Sequence, residues 1–396
     1  MRVLFVAVPG QGHVQPLLGL ALAARARGHA VAWATGAEAF PLLRGCGLDT
    51  FKTGRPFGEC IAQFRRENPE IGVLPGRMQA QRAYPILFGR IIAESMIAPL
   101  ADVVARWRPG LIVSEPAALA APLVARRHGV PQVTHEYGMP IPSVLLNAAA
   151  DVMAPAWRAA GMAVPPDAGV YADAAIEIVP PSMRSASAPA PVAPRVLAQR
   201  PASVTGVPGV PPPASFAAFL RSVERRPLLG VTFGTLNAGG PAWQALLLAL
   251  REIDVPCVVT SGPLVDVPAD APPHWYVARY LPHEHVLAHC RAVVSHAGAG
   301  VSLAAASLGL PQLCLPLGAD QFRNADALAA CGVARVLEHR LAPRALSAAI
   351  EQVLRDALQQ AAARRLQAEI AARPVVEETV ERLEALVVSA PGAIPG

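Results

Sequence analysis

Short apolar runs alternate with helix-periodic stretches along most of the chain, and this alternation restricts the fold more than any other feature. Residues 2–9 form a continuous apolar run rich in valine, residues 16–27 repeat apolar positions at helical spacing up to Gly28, and residues 31–35 form the next run. Short continuous apolar runs are typical of strands buried on both faces of a parallel sheet. The β–α–β succession therefore predicts a doubly wound α/β fold.

The same alternation recurs in both halves of the chain, on either side of a proline-rich stretch at residues 180–213. We predict further strands at 110–114, 132–135, 228–233, 257–260, 292–295 and 312–315, and helices at 119–128, 242–253, 301–308 and 343–386. A chain of 396 residues exceeds the roughly 250–300 residues that one hydrophobic core supports. We therefore expect two domains, residues 1–205 and 206–380, with a tail at 381–396 that packs back on the first domain.

Composition narrows the class of protein. Hydrophobic residues make up 53% of the chain and charged residues 16%, as in a globular protein, and no apolar run reaches the ~18 residues of a membrane span. Six scattered cysteines without a CxxC pair are typical of reduced thiols, so we expect a cytoplasmic protein. The net charge of +5 is spread without a polybasic block, which gives nucleic-acid binding little support but suits an anionic diphosphate ligand.

A small-residue turn follows the predicted strand at 292–295. Its sequence is Val293-Val-Ser-His296-Ala-Gly298-Ala-Gly300-Val-Ser302, and a helix is predicted from residue 301. Backbone N–H groups at a helix N-terminus bind anions, and glycine lets a diphosphate approach the backbone. The alternative is a plain tight turn. The small-residue turn is not a P-loop, because no Gly-Lys-Ser/Thr sequence follows it.

Asp320 and Gln321 follow the strand predicted at 312–315. Ligands of open α/β sheets bind at the carboxyl ends of the strands, and a carboxylate beside an amide can bind vicinal sugar hydroxyls. The alternative is a solvated turn in which the aspartate caps the next helix.

Gly12 and His13 lie directly after the first predicted strand. A histidine there can act as a general base near neutral pH or can cap the structure.

Apolar residues are frequent between residues 56 and 100. If they line a ligand pocket, residues 137–146 could form a second wall of that pocket. They are either ordinary core or a pocket for an apolar molecule. The residues of the first segment are Phe57, Phe64, Met78, Tyr84, Phe88 and Met96.

Taken together, these segments resemble the bacterial branch of family 1 glycosyltransferases, including the antibiotic glycosyltransferases. The resemblance rests on residues 289–300 and 319–325, on the strand and turn at 229–235, on residues 280–283 and on the Gly-His-x-x-Pro motif at 12–16. It implies the GT-B fold, with two Rossmann-like domains that face a central cleft. Nucleotide-sugar binding is implied for Gly12, Thr235, Tyr280, Leu281, His296, Gly298, Ala299, Gly300, Val301, Ser302, Asp320 and Gln321.

The resemblance also implies an inverting sugar transfer in which His13 deprotonates an acceptor hydroxyl. Glu115 stands where the family usually has the aspartate that orients this histidine. The nucleotide sugar is a substrate, so no cofactor is expected. No metal is expected either. His283, His285 and His289 could suggest a metal site, but in the family this region binds the nucleobase of the donor.

The donor is expected to carry a thymidine diphosphate. Family members that use uridine donors usually have a glutamate eight residues after the diphosphate histidine, where this chain has Ala304. The acceptor is expected to be a small apolar natural product, and the sequence leaves a homodimer open. Three alternatives remain: a lipid glycosyltransferase of the same fold, a non-catalytic activator of another transferase, and a sugar-nucleotide epimerase.

Overall fold

The computed structural model describes residues 1–184, 192–202, 204–234, 240–262, 265, 270–337 and 342–388. These residues form two compact units. Unit 1 contains residues 1–178, 192–202 and 373–388, and unit 2 contains residues 179–184 and the described part of 204–372. The chain thus returns to unit 1 at Arg373, ahead of the boundary expected at residue 380. Here the segment that begins at Arg373 is joined to the segment around Arg200 by two separate hydrogen bonds within unit 1, one from Arg200 N and one from the Arg373 side chain.

A seven-stranded parallel sheet forms the centre of unit 1. Its strand order is β3-β2-β1-β4-β5-β6-β7, so the order reverses between β1 and β4. The strands are β1 (Arg2–Val6), β2 (Ala30–Thr35), β3 (Asp49–Lys52), β4 (Leu111–Ser114), β5 (Gln132–His135), β6 (Ala174–Glu177) and β7 (Val196–Ala198). Phe5 of β1 pairs with Trp33 of β2 and Val113 of β4, and all three are fully buried, as expected for strands covered on both faces.

Helices cover this sheet. They are α1 (Gln11–Ala26), α2 (Phe40–Gly45), α3 (Phe57–Glu67), α4 (Gly76–Ala83), α5 (Ala93–Trp107), α6 (Ala120–His128) and α7 (Ser143–Ala159). A π-helical segment, Tyr84–Ile92, joins α4 to α5 without a break, and 3-10 turns occur at Ala37–Ala39, Pro69–Val73 and Pro181–Met183. The last of these turns belongs to unit 2.

One prediction on unit 1 was wrong in detail. Helix α1 begins at Gln11 and not at residue 16, because the N–H groups of His13 and Val14 already bond to the Gly10 carbonyl. Pro16 lies inside the helix and removes one hydrogen bond near its start. The proline-rich stretch at 180–213 contains extended structure, since its residues 196–198 form β7, which pairs with β6.

Unit 2 repeats the architecture with a six-stranded parallel sheet in the order β10-β9-β8-β11-β12-β13. The strands are β8 (Leu228–Thr232), β9 (Cys257–Thr260), β10 (Trp275–Ala278), β11 (Cys290–Ser295), β12 (Gln312–Cys314) and β13 (Ala334–Val336). The helices are α8 (Ala214–Ser222), α9 (Pro241–Arg251), α10 (His283–Val286), α11 (Ala299–Ser307), α12 (Gln321–Ala330), α13 (Pro343–Arg355) and α14 (Ala357–Ala371). The order reverses between β8 and β11.

The last helix, α15 (Val376–Val388), belongs to unit 1 and packs on α1. Arg27 donates to Glu384 at 2.8 Å and to Glu381 at 2.9 Å, and His29 Nε2 lies 2.9 Å from Glu384. Within the described residues, none of the helices combines the length and apolar character needed to cross a bilayer.

Candidate functional site

In unit 1, the switch point of the sheet holds a histidine and a buried carboxylate. His13 lies in the first turn of α1, just after β1, and Glu115 follows β4 directly. Because β1 and β4 are neighbours, their carboxyl ends place both side chains together: His13 Nδ1 lies 3.3 Å from Glu115 Oε1. Crevices at such switch points are where open α/β sheets bind ligands.

Backbone donors fix the Glu115 carboxylate in this position. Its Oε1 accepts from Val8 N at 3.1 Å and its Oε2 accepts from Ala117 N at 2.5 Å, and the side chain is fully buried. Among the described residues, His13 Nδ1 has no aligned hydrogen-bond partner, so its approach to Glu115 is a close contact that a small ring rotation would turn into a hydrogen bond. The imidazole is 16% exposed.

Aromatic rings surround the imidazole of His13. The ring centroid of Tyr137 lies 5.0 Å away, that of Phe88 5.5 Å and that of Phe57 6.3 Å. Phe57 and Phe88 are only partly buried, whereas the other predicted apolar residues of this region divide between core and surface. Tyr84, Met96, Met139 and Leu146 are buried, Phe64 packs partly buried against the core, and Met78 is 44% exposed.

In unit 2, an uncapped helix N-terminus follows β11. Helix α11 begins at Ala299, no side chain caps it, and Gly298 is extended. Ser302 is buried, and its hydroxyl has no hydrogen-bond partner among the described residues. Free backbone N–H groups with a buried, unpaired hydroxyl are suited to an anion.

His296 stands at this turn between two glycines. A Cβ at Gly298 would lie 2.6 Å from His296 Nε2, and a Cβ at Gly234, whose φ is +66°, would lie 2.9 Å from Cε1. Burial lowers the pKa of His296 to about 4, although the nearby Asp320 carboxylate acts in the opposite direction. The imidazole is therefore neutral at pH 7.

Asp320 and Gln321 lie at the start of α12, joined to the turn by a residue that the sequence did not single out. Asn324 Nδ2 donates to Asp320 Oδ2 at 2.8 Å and to the Ala297 carbonyl at 3.0 Å. Asp320 does not cap the helix with its side chain. The spacing of four residues on one helix was the available signal for the Asp320–Asn324 pair.

The side-chain carbonyl of Gln321 is engaged by the loop before it. Gln321 Oε1 accepts from Leu317 N at 2.8 Å and from Gly318 N at 2.9 Å. An amide whose oxygen is occupied in this way has its N–H₂ group left to donate.

The segment predicted to bind the nucleobase of the donor follows β10. The Tyr280 hydroxyl donates to the Thr205 carbonyl and the side chain is 44% exposed, whereas Leu281 is buried against Phe216 and Val286. Leu281 can therefore offer a ligand only its backbone. Burial lowers the pKa of His283.

The remaining predicted residues occupy simple positions. Gly12 and Gly300 are exposed, with open space where a Cβ would point, and Ala299 is buried. Val301 packs in the core with its side chain, so only its backbone could bind a ligand. Thr235 lies outside the described residues. Within the described part of the chain, no group of three or more His, Cys, Asp or Glu side chains could hold a metal ion.

The two parallel doubly wound units are those of the GT-B class of glycosyltransferases. The solved structure of the spinosyn rhamnosyltransferase SpnG complexed with thymidine diphosphate matches 97% of this chain and 100% of its own, at 25% identity and a TM-score of 0.77.

The family follows from the sequence comparisons. Residues 22–206 match the N-terminal domain, and residues 244–386 the C-terminal domain, of the erythromycin biosynthesis protein CIII-like family. The chain belongs to this family of natural-product glycosyltransferases. It is 32% identical to the L-demethylnoviosyl transferase of Streptomyces niveus, covering 97% of this chain and 98% of the relative. It is 31% identical to the elloramycin glycosyltransferase ElmGT of Streptomyces olivaceus, covering 83% and 84%.

Membership makes the protein a glycosyltransferase of antibiotic pathways, with a nucleotide sugar as its donor. The expected family, fold and enzyme class are thereby confirmed.

Proposed function

We propose that the protein is an inverting O-glycosyltransferase in which His13 is the general base. The observation that carries this proposal is the 3.3 Å approach of His13 Nδ1 to the buried Glu115 carboxylate. A carboxylate at Nδ1 stabilises the imidazolium that forms when Nε2 takes a proton. The acceptor oxygen, as it loses that proton to His13, attacks the anomeric carbon from the face opposite the diphosphate, and the bond to the diphosphate breaks.

The leaving diphosphate carries the negative charge that develops, and the turn after β11 is suited to receive it. The N-terminus of α11, the Ser302 hydroxyl and the neutral imidazole of His296 supply hydrogen-bond donors without a metal ion. Asp320 and the amide nitrogen of Gln321 would bind the sugar hydroxyls. Activity is therefore expected to survive EDTA.

The nucleotide of the donor is proposed to be thymidine diphosphate. Position 304 carries an alanine, buried in an apolar cluster with Leu287 and Val293, so it offers no carboxylate to a ribose 2′-hydroxyl. A hydrogen bond to a charged group contributes ~1.5–3 kcal/mol, and here the 2′-hydroxyl of a ribose would enter the site without that charged partner, whereas a deoxyribose loses nothing. The relative SpnG, which was solved with thymidine diphosphate, supports this choice.

The acceptor is proposed to be a small apolar molecule that carries a hydroxyl group. Three aromatic rings surround the imidazole of His13, and two of these rings are partly buried. They belong to Phe57, Phe88 and Tyr137. Aromatic groups that line a site around one polar group are typical of pockets for apolar ligands.

Calorimetric titration of the protein with TDP and UDP in one buffer tests the donor. We expect TDP to bind roughly ten-fold more tightly, and tighter binding of UDP would contradict the proposal. TDP-linked hexoses are then incubated with a phenol, a hydroxyanthraquinone and a hydroxylated macrolactone. Release of TDP together with formation of a β-glycoside from an α-linked donor supports inversion, and retention of configuration or loss of activity in EDTA would contradict the mechanism.

A further inference from the structure

The π-helical segment Tyr84–Ile92 is the irregular part of the helical run from α4 to α5. It begins next to Pro85, which has no N–H to donate and whose ring crowds the carbonyl four residues earlier, and a wider turn relieves both problems. Single π turns inside helices occur frequently at functional sites. In this chain the segment packs against α3, α4, α5 and α7.

Two aromatic side chains of this segment lie at the pair in unit 1, one against His13 and the other against the residue that follows Glu115. The Phe88 ring lies 5.5 Å from the imidazole of His13. The Tyr84 ring lies 5.5 Å from that of Phe88, and the Tyr84 hydroxyl donates to the Pro116 carbonyl at 2.9 Å. Tyr84 is buried, with 5% of its surface exposed.

The hydrogen bond of Tyr84 holds the turn that carries Glu115. Pro116 is the residue directly after Glu115, and its own nitrogen cannot donate to the backbone. The turn is otherwise fixed by three hydrogen bonds: Glu115 N donates to the Val6 carbonyl, Ala118 N donates to the Glu115 carbonyl, and Ala117 N donates to Glu115 Oε2. Tyr84 is thus a contact from a separate helical segment that acts on the backbone next to the carboxylate.

We propose that Tyr84 is a positioning residue, which holds the Glu115 turn so that the carboxylate stays against the imidazole of His13. This proposal rests on the proposed function of His13 as the base. Tyr84 does not touch the reacting atoms in this role; it acts through Glu115. Loss of its hydroxyl should therefore slow the chemical step and leave donor binding unchanged.

The test is Tyr84→Phe, which removes one oxygen atom and keeps the ring against Phe88. A hydrogen bond of this kind contributes about 0.5–1.5 kcal/mol, so we expect the melting temperature to fall by no more than ~2–4 °C, kcat to fall ~2- to 10-fold, and the KM for the TDP-hexose to stay close to wild type. Tyr276→Phe is the matched control, since it also loses one hydroxyl contact, to Ser215 Oγ at 3.0 Å, in unit 2. The control should keep its kcat.

A double-mutant cycle separates positioning through Glu115 from a general structural effect. In a Glu115→Gln background, Tyr84→Phe should cost little more, because the group that it positions is already changed. An additive loss in that background, or a kcat for Tyr84→Phe equal to wild type, would overturn the proposal. His13→Ala distinguishes the two levels: if that variant keeps its activity, the base assignment fails, and if it is inactive while Tyr84→Phe is unimpaired, only the role of Tyr84 fails.

Discussion

At the residue scale, the pair in unit 1 combines a fully buried carboxylate with a partly exposed imidazole. The Glu115 side chain is fully buried and accepts two backbone hydrogen bonds, whereas the imidazole of His13 is partly exposed and contacts aromatic rings. A general base must be able to rotate slightly as it receives a proton, whereas the residue that orients it must stay fixed. The division of roles between the two residues follows from their surroundings.

His13→Ala should reduce kcat by ~10²–10⁴-fold, because a general base is lost. Glu115→Gln should cost less, since this residue orients the imidazole and does not carry the transferred proton. The affinity for TDP, measured by calorimetry, should stay near wild type in both variants. A His13→Ala enzyme with more than a third of the wild-type kcat would exclude His13 as the base.

Gly298→Ala should weaken TDP binding by roughly ten- to a hundred-fold. A Cβ at this position would lie 2.6 Å from His296 Nε2, so the imidazole must move and its hydrogen bond to a charged phosphate is lost. Gly240→Ala is the matched control in the same unit, because a Cβ there meets nothing within 4 Å. Calorimetry on folded protein measures both, and equal affinities in the two variants would contradict a diphosphate site at this turn.

At the scale of elements, the sequence predicted the central strands well and the peripheral ones poorly. Strands β5 and β9 have the predicted bounds, since each is a short buried run preceded by a proline. β3 and β13 were not predicted, because these edge strands are three or four residues long and partly exposed, so they have no continuous apolar run. β6, β7 and β10 were not predicted either. β7 lies among prolines, β10 is a partly exposed edge strand of four residues, and β6 has the sequence Ala-Ala-Ile-Glu, with one β-branched residue.

The candidate site shows the same division. The closeness of His13 and Glu115 could be anticipated, because each follows a strand at the carboxyl edge of one sheet. The contact of Asn324 with the Ala297 carbonyl could not, since it depends on how α12 packs beside α11. The contact of Tyr84 with Pro116 depends on the π-helical turn, which no periodicity in the sequence indicates.

Arg373 joins the end of unit 1's sheet to the segment before α15. Its Nε donates to the Gln199 carbonyl at 3.0 Å, its guanidinium also donates to the Glu177 carbonyl, and Glu177 Oε2 lies 3.8 Å away. Removing one member of a buried ion pair typically costs ~3–5 kcal/mol. Arg373→Met should therefore lower the free energy of unfolding of unit 1 by about 3 kcal/mol.

Arg355→Met is the control for this variant. Arg355 is 79% exposed and lies 3.9 Å from Glu351, and surface pairs of this kind contribute little. Its stability should stay within ~0.5 kcal/mol of wild type. Equal denaturant midpoints for the two variants would show that Arg373 does not hold the junction.

At the scale of the whole molecule, the two units share one architecture and differ in what they hold. Each sheet reverses its strand order at its first strand, and each has its polar groups at the carboxyl ends of the two strands beside that reversal. In unit 1 these groups are a histidine and a carboxylate among aromatic rings. In unit 2 they are a neutral histidine and a helix N-terminus beside small residues. This difference supports our proposal that unit 1 binds an apolar acceptor and unit 2 an anionic donor.

Each unit also buries a neutral histidine, and this makes stability depend on pH in both. Burial lowers the pKa of His135 in unit 1 to about 4 and that of His296 in unit 2 to about 4, against an ordinary value of 6.5. Between pH 6.5 and 4 the unfolded chain binds protons that the folded units do not. The free energy of unfolding is therefore full above pH 6.5 and falls as the pH falls, by up to roughly 3 kcal/mol for each histidine.

Hydrogen exchange measured from pH 7.5 to pH 5 and corrected for the intrinsic rate, with mass spectrometry of peptides from β5 and β11, tests this in the two units separately. Protection should decrease toward pH 5 in both peptides, above the range in which most carboxylates titrate. His135→Gln should flatten the decrease in the β5 peptide and leave the β11 peptide unchanged, because the lost proton site lies in unit 1. TDP, which we propose binds the folded state of unit 2, should raise protection of β11 at every pH. Protection that stays constant or increases as the pH falls to 5 would mean that these histidines are already protonated when the units are folded.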